Sequence, residues 1–210
     1  MIYTWLADVS ALLEEEKYTE CYGRLPAHRR RKADGLLRQE DKALSVGAWC
    51  LYEQMLKAYG LTERATYNLS HSGSFCLCSV DDSYAESRQL GCDLEAIRDL
   101  RRQVAKRFFC EGENDFIQEI QSEEGQIQRF YRLWVLKESF MKATRLGMKL
   151  DMKQFEIGFS KGDKPYLKRQ PKEFAGEYFY KEYVLGGIPY RIAVCSNTGD
   201  FSEEIRIMKL

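Results

Sequence analysis

Two short apolar segments of this chain hold five ionisable side chains, and their spacing suggests that they act together. Gly91-Cys92-Asp93-Leu94-Glu95 reads as a strand, so Asp93 and Glu95, two residues apart, point to the same face. Trp134-Val135-Leu136-Lys137-Glu138-Ser139-Phe140-Met141-Lys142 reads as a helix in which Glu138 and Lys142, four residues apart, stack on one side. If that helix lies across the end of that strand, three carboxylates meet near a lysine. Like charges crowded in this way force a proton onto one of them unless a cation intervenes. Oxygen-only ligands, few in number, suit Mg²⁺ shared with a substrate's phosphates better than a cage built wholly from protein. The chemistry indicated is that of a magnesium-dependent enzyme acting on a phosphate-bearing substrate. Each residue also has an ordinary explanation: Lys137-Glu138 as a solvated helix pair, Asp93 as the mark of a strand leaving its sheet.

Asn68-Leu69-Ser70-His71-Ser72-Gly73 is a second candidate. Here a strand ends in small polar residues and glycine, leaving backbone N–H groups, Ser70, Ser72 and His71 able to grip an anion. A histidine satisfied within a turn explains His71 equally. Arg29 and Lys32 belong to the basic stretch His28-Arg29-Arg30-Arg31-Lys32, either a solvated helix face or a phosphate clamp built on charge-assisted hydrogen bonds.

The elements that must position these groups can be read from periodicity. Ile2–Val9 is predicted as a first strand, and a helix follows from about Ala11. From Asp41 the positions Leu44, Ala48, Leu51, Met55 and Ala58 form one face of an amphipathic helix ended by Gly60. Tyr67–Val80 and Gln89–Glu95 read as strands, Val104–Phe109 as helix, Gly112 as the start of a short helix and Arg129–Thr144 as a long one. Strands are expected at Phe155–Phe159, Glu177–Leu185 and Tyr190–Cys195, with Gly186-Gly187 as a hairpin turn. Helices followed by strands, twice over, predict an α+β fold of two similar lobes, residues 1–96 and 97–210, packed tightly because no Pro-, Gly- or Ser-rich linker separates them.

The bulk composition narrows the class. Thirty-two basic and 32 acidic residues cancel, so net charge gives no footing for nucleic-acid binding. Seven cysteines, an odd number, set mostly among apolar residues and without a Cys-x-x-Cys motif, read as buried thiols of a reducing compartment. With two histidines a structural zinc site is not expected. The first residues lack the basic start and long apolar run of a signal peptide, and no segment reaches membrane-spanning length, so a cytoplasmic protein is expected.

The run from Asn68–Gly73 through Gly91–Glu95 to Trp134–Lys142 resembles the 4'-phosphopantetheinyl transferases, in the larger, monomeric, two-lobed branch typified by the surfactin-synthetase activator. Both carrier motifs, Gly-(Ile/Val)-Asp-(Ile/Leu/Val)-Glu and Trp-x-x-Lys-Glu-(Ala/Ser)-x-x-Lys, are present, with Cys92 in place of the usual aliphatic residue. The resemblance implies transfer of phosphopantetheine from coenzyme A to a serine of an apo acyl or peptidyl carrier protein, a holo-[acyl-carrier-protein] synthase type of reaction releasing adenosine 3',5'-bisphosphate. It implies Asp93, Glu95 and Glu138 as Mg²⁺ ligands, Glu138 or a water it holds as base, and Lys142 as a phosphate-binding aid to the leaving group. Ser70 and His71 are implied in binding coenzyme A phosphates, Arg29 and Lys32 the 3'-phosphate with Ser45 as a further candidate, and Arg98 the pyrophosphate. One departure stands out. The Gly-Lys-Pro loop that meets the adenine in many relatives is absent, Leu61–Thr66 joining helix to strand directly.

Two other readings stay open. A nuclease can also set Asp, Glu and Lys around Mg²⁺, but it commonly uses an acid-x-Lys pair on a strand, and here Ile97 follows Glu95 at that position. A carrier-binding module that lost catalysis would have no need of the four charged residues that this chain keeps. Arg101, Arg102, Lys106 and Arg107 could steer an acidic carrier domain, or serve as solvated helix faces.

Overall fold

The computed structural model describes residues 1–210. Nine strands and six α-helices follow one another: β1 (Ile2–Asp8), α1 (Glu15–Arg24), α2 (Ala27–Asp34), α3 (Gln39–Tyr59), β2 (Thr66–Ser72), β3 (Phe75–Asp81), β4 (Leu90–Ala96), α4 (Arg102–Phe108), α5 (Glu111–Gln118), α6 (Glu123–Ala143), β5 (Glu156–Phe159), β6 (Pro165–Arg169), β7 (Phe179–Tyr183), β8 (Tyr190–Ser196) and β9 (Phe201–Lys209). The α+β class is as expected. The chain forms two compact units, Met1–Glu86 with Asp200–Leu210, and Ser87–Gly199. The boundary expected at 96/97 falls inside the second unit, immediately after β4, and the last strand belongs to the first unit.

The first unit is built on a sheet of order β2-β3-β1-β9, in which β1 runs antiparallel to β3 and parallel to β9. The stretch Tyr67–Val80, expected as one strand, is a hairpin: Ser72 pairs with Phe75, and Gly73 turns the chain at φ 59°. A two-residue turn of this kind needs the left-handed backbone that glycine adopts without strain. α3 packs on this sheet, placing Leu44, Ala48, Leu51 and Met55 in a core with Trp5, Ala7, Cys76, Cys78 and Val80. Ala58, expected on that face, is exposed. Gly60 ends the helix in the left-handed conformation, φ 63° and ψ 30°.

The second unit has a three-stranded antiparallel sheet, β4-β8-β7, and a β5-β6 hairpin. β6 and β9 escape the periodicity argument. In β9 the apolar residues Phe201, Ile205, Ile207 and Met208 follow no strict alternation with the charged ones, and the strand lies at a sheet edge, where charge is common. α6 starts six residues earlier than expected, at Glu123, capped by Ser122 Oγ accepting from the Gly125 N–H at 3.3 Å. This helix lies on β4 and β8, and the contact is unusually close: a Cβ added to Gly91 would overlap the backbone of Ser139 and Ala143. Glycine at 91 lets a strand backbone touch a helix backbone.

Candidate active site

That close approach brings the two charged segments together. Asp93 and Glu95 share a face of β4 by strand alternation, and Trp134, Glu138 and Lys142 follow one another at four-residue steps along α6. The chains run in opposite senses, with Gly91 against the Ser139–Ala143 turns and Glu95 lining a small cleft with Trp134, Phe130 and Tyr131. Lys142 Nζ donates to Asp93 Oδ1 at 2.8 Å and to Cys92 O at 3.1 Å. Asp93 is 4% exposed, so this pair holds a carboxylate inside the protein rather than on its surface.

The electrostatics follow from the crowding. Burial, then Asp93 and Glu95, push the Glu138 carboxyl up to about 7, with Lys142 alone opposing them. Burial works against the Lys142 charge, but Asp93 and Glu138 hold its pKa above the ordinary lysine value. Three mutually repelling carboxylates are therefore served by one ammonium, and the donor set, oxygen throughout, matches a hard divalent cation. The fit is one of charge and donor type: no three acidic, histidine or cysteine side chains are gathered into a preformed metal cage, and Lys142 engages Asp93.

Lys137 has a different fate from a solvated surface residue. It is fully buried, its Nζ donating to Glu113 Oε1 and Oε2 at 2.7 and 2.9 Å and to Phe155 O at 2.9 Å. Glu113 also accepts from the N–H groups of Cys110 and Ile157 at 2.8 Å. This buried pair joins α5, α6 and β5 next to Glu138. Sequence reasoning passed over Glu113, yet Cys110-x-x-Glu113 has capping-box spacing, with cysteine in place of serine or threonine.

In the first unit, Arg29 Nη2 donates to Ser45 O at 3.3 Å and its guanidinium lies 4.7 Å from the Trp49 ring. Burial lowers the pKa of both Arg29 and Lys32, and the Arg29 charge lowers Lys32 further. Arg29 Nε and Ser45 Oγ are buried without a hydrogen-bond partner. Two crowded cations and two unsatisfied donors make a place suited to an anion. Ser70 and His71 are neighbours on β2, so alternation points them to opposite faces, Ser70 buried and His71 exposed. The open strand end expected there is the β2–β3 hairpin. Arg98 is exposed just beyond β4.

Residues 89–195 match the model of the 4'-phosphopantetheinyl transferase superfamily. The chain belongs to that superfamily. It is 31% identical over 145 residues to 4'-phosphopantetheinyl transferase Sfp of Bacillus subtilis, covering 69% of this chain and 60% of that protein, and falls with the Sfp-like members. It is 35% identical over 108 residues to 4'-phosphopantetheinyl transferase HetI of Nostoc, covering 50% of this chain and 43% of that protein. The chain thus spans about 60% of the length of the first of these curated relatives. Among solved structures it is similar to the holo-[acyl-carrier-protein] synthase of Helicobacter pylori in complex with coenzyme A, at 18% identity and a TM-score of 0.42, covering 50% of this chain and 96% of that one. The superfamily match contains all of β4 and α6, so Asp93, Glu95, Glu138 and Lys142 lie within it. No helix is long and apolar enough to cross a membrane.

Proposed function

We propose that this chain transfers 4'-phosphopantetheine from coenzyme A to a serine hydroxyl of an apo acyl or peptidyl carrier protein, with Mg²⁺ bound at Asp93, Glu95 and Glu138. The observation that carries this reading is the Lys142–Asp93 pair across the Gly91 contact, with the charges of Asp93 and Glu95 felt at Glu138, inside the region matched to the superfamily. When bound, the cation supplies charge neutralisation at the pyrophosphate. Glu138, or a water it holds, takes the serine proton. The serine oxygen bonds to the phosphorus next to pantetheine as the pyrophosphate bridge breaks, and adenosine 3',5'-bisphosphate leaves. Lys142, which donates to Asp93, is proposed to donate to a phosphate oxygen of the leaving group.

Arg29, Lys32 and Ser45 are proposed to take the 3'-phosphate, the assignment best supported by the crowded cations and unsatisfied donors of that cluster. His71 and Ser70 are proposed phosphate contacts from opposite faces of β2, and Arg98 a pyrophosphate contact. Arg101, Arg102, Lys106 and Arg107 are all exposed on or beside α4, available to an acidic carrier domain. The four residues of the proposed centre come from one chain, so a monomer suffices.

The test is the intact mass of an apo carrier protein after incubation with this protein, coenzyme A and Mg²⁺. One phosphopantetheine group should be gained, and a chelator should prevent the gain. Glu138→Gln, which keeps the side chain's shape and removes its charge and basicity, should lower the rate at least about 100-fold, the scale of losing one such group. Near-wild-type transfer by that variant would remove Glu138 from the mechanism. Coenzyme A binding without transfer to fatty-acid, polyketide or peptide carriers would favour a module that binds but does not react.

A further inference from the structure

Cys21 is the one cysteine of the seven that is not buried, and none of the seven forms a disulfide. It lies on α1 across from Cys50 of α3, whose Sγ approaches the Cys21 carbonyl oxygen at 3.9 Å. Both residues belong to the lining of a groove of about 340 Å³, with Lys17, Arg24, Glu53, Lys57 and Leu210, although Cys50 itself is buried. The other cysteines sit elsewhere: Cys76 and Cys78 within β3, Cys92 in β4, Cys195 in β8, and Cys110 beneath Arg169.

We propose that Cys21 and Cys50 form a redox pair, closing to an intramolecular disulfide that ties α1 to α3. This goes beyond the transfer reaction and does not depend on it. The Cys50 sulfur lies 3.9 Å from the Cys21 carbonyl oxygen, so the two residues meet at the same α1–α3 contact, and closure requires their Cα atoms to stand within the roughly 4.4–6.8 Å that a disulfide spans. Division of labour follows from exposure. Burial, then the neighbouring Cys21, hold the Cys50 thiol well above its ordinary range, so Cys50 is the resolving thiol and the accessible Cys21 meets the oxidant. With a small disulfide as oxidant, the Cys21 thiolate attacks one sulfur, forms a mixed disulfide and releases the first small thiol. Cys50 then loses its proton and attacks the Cys21 sulfur, releasing the second. Two protein thiols lose two electrons in all, and one small disulfide becomes two thiols. The closed loop contains the whole of α2 and the start of α3, with Arg29, Lys32 and Ser45, so oxidation restricts the segment that carries them.

The experiment treats the full chain with excess hydroxyethyl disulfide and follows intact mass, a non-reducing peptide map and thermal unfolding. The expected product has lost two hydrogens, carries a Cys21–Cys50 peptide and unfolds about 5–10 °C higher, and dithiothreitol reverses all three. Cys50→Ser should retain a hydroxyethylthio adduct on Cys21, and Cys21→Ser should yield neither adduct nor closure at this groove. An adduct on wild-type Cys21 that never closes, a crosslink between any other pair, or unmodified thiols would overturn the proposal. The wild-type map decides the matter even if serine at position 50 disturbs packing.

Discussion

α3 and α6 are the same length, 21 residues, and each lies on strands as the long helix of its unit, yet what they bury differs in kind. α3 buries Ala43, Leu44, Val46, Ala48, Trp49, Leu51, Met55 and other apolar positions, with Ser45 as its polar exception and no charge among them. α6 buries Lys137 as deeply as Leu136 and sets Glu138 and Lys142 against a buried aspartate. Apolar burial is non-directional and scales with area, at roughly 25 cal/mol per Å². A buried charge is directional, since it costs several kcal/mol unless its partners stand in the right places. α3 is thus a core helix, whereas α6 holds charges where a core helix would hold leucine. Charge kept in so unfavourable a position is what singles out α6 for the proposed site.

The close contacts made by glycine differ in the same way, and the largest expected effect tests that contrast. At Gly91 an added Cβ meets the α6 backbone around Ser139, Lys142 and Ala143, which cannot rotate away as a side chain can. Gly91→Ala should therefore force β4 and α6 apart, at about 4 kcal/mol or more, the range of severe core lesions. Urea unfolding followed by tryptophan fluorescence would measure it. A loss under about 1 kcal/mol would mean that helix and strand separate easily, and that the carboxylates are not held by their contact.

Lys137 tests the charge half of the comparison. Lys137→Met removes one member of a buried pair and leaves Glu113 with its two backbone donors but no cation. The expected loss is about 3–5 kcal/mol, with much of it recovered in the Lys137→Met/Glu113→Gln double variant, which buries no net charge. If the double variant is as unstable as the single, the pair matters through its hydrogen bonds rather than its charges. No comparable loss is expected at any apolar position of α3 exchanged for one of similar volume, which should cost under about 1.5 kcal/mol.

These contrasts also explain what was legible beforehand. The carboxylates of β4 and the α6 stripe followed from spacing alone, because periods of two and four fix which side chains share a face. The strand end at Gly73 was legible from its small polar residues, but not that the chain turns straight back there to pair Ser72 with Phe75. β9 pairs in parallel with β1 from the opposite end of the chain, a partnership no local pattern encodes. Lys137 looked ambiguous for the same reason: its surroundings are apolar, but its partner Glu113 lies on a different helix, 24 residues earlier. Local periodicity places a side chain on a face, whereas the ion or backbone opposite it comes from elsewhere.

The smallest effect is expected at a glycine contact of the first unit. A Cβ on Gly47 of α3 would lie 2.5 Å from Val9 Cγ1, 3.1 Å from Leu210 Cδ1 and 3.2 Å from Leu12 Cδ1, all side-chain termini. Overpacking of this sort typically costs about 1–3 kcal/mol, because methyl groups can shift by rotation. Alanine also returns about 1 kcal/mol of helix propensity at an interior position. Gly47→Ala should therefore change stability by no more than about 2 kcal/mol, well short of Gly91→Ala, in the same urea titration. Equal losses at the two positions would show that the first unit's helix is as rigidly seated as the second's. The distinction between a yielding apolar contact and an unyielding backbone contact would then fail.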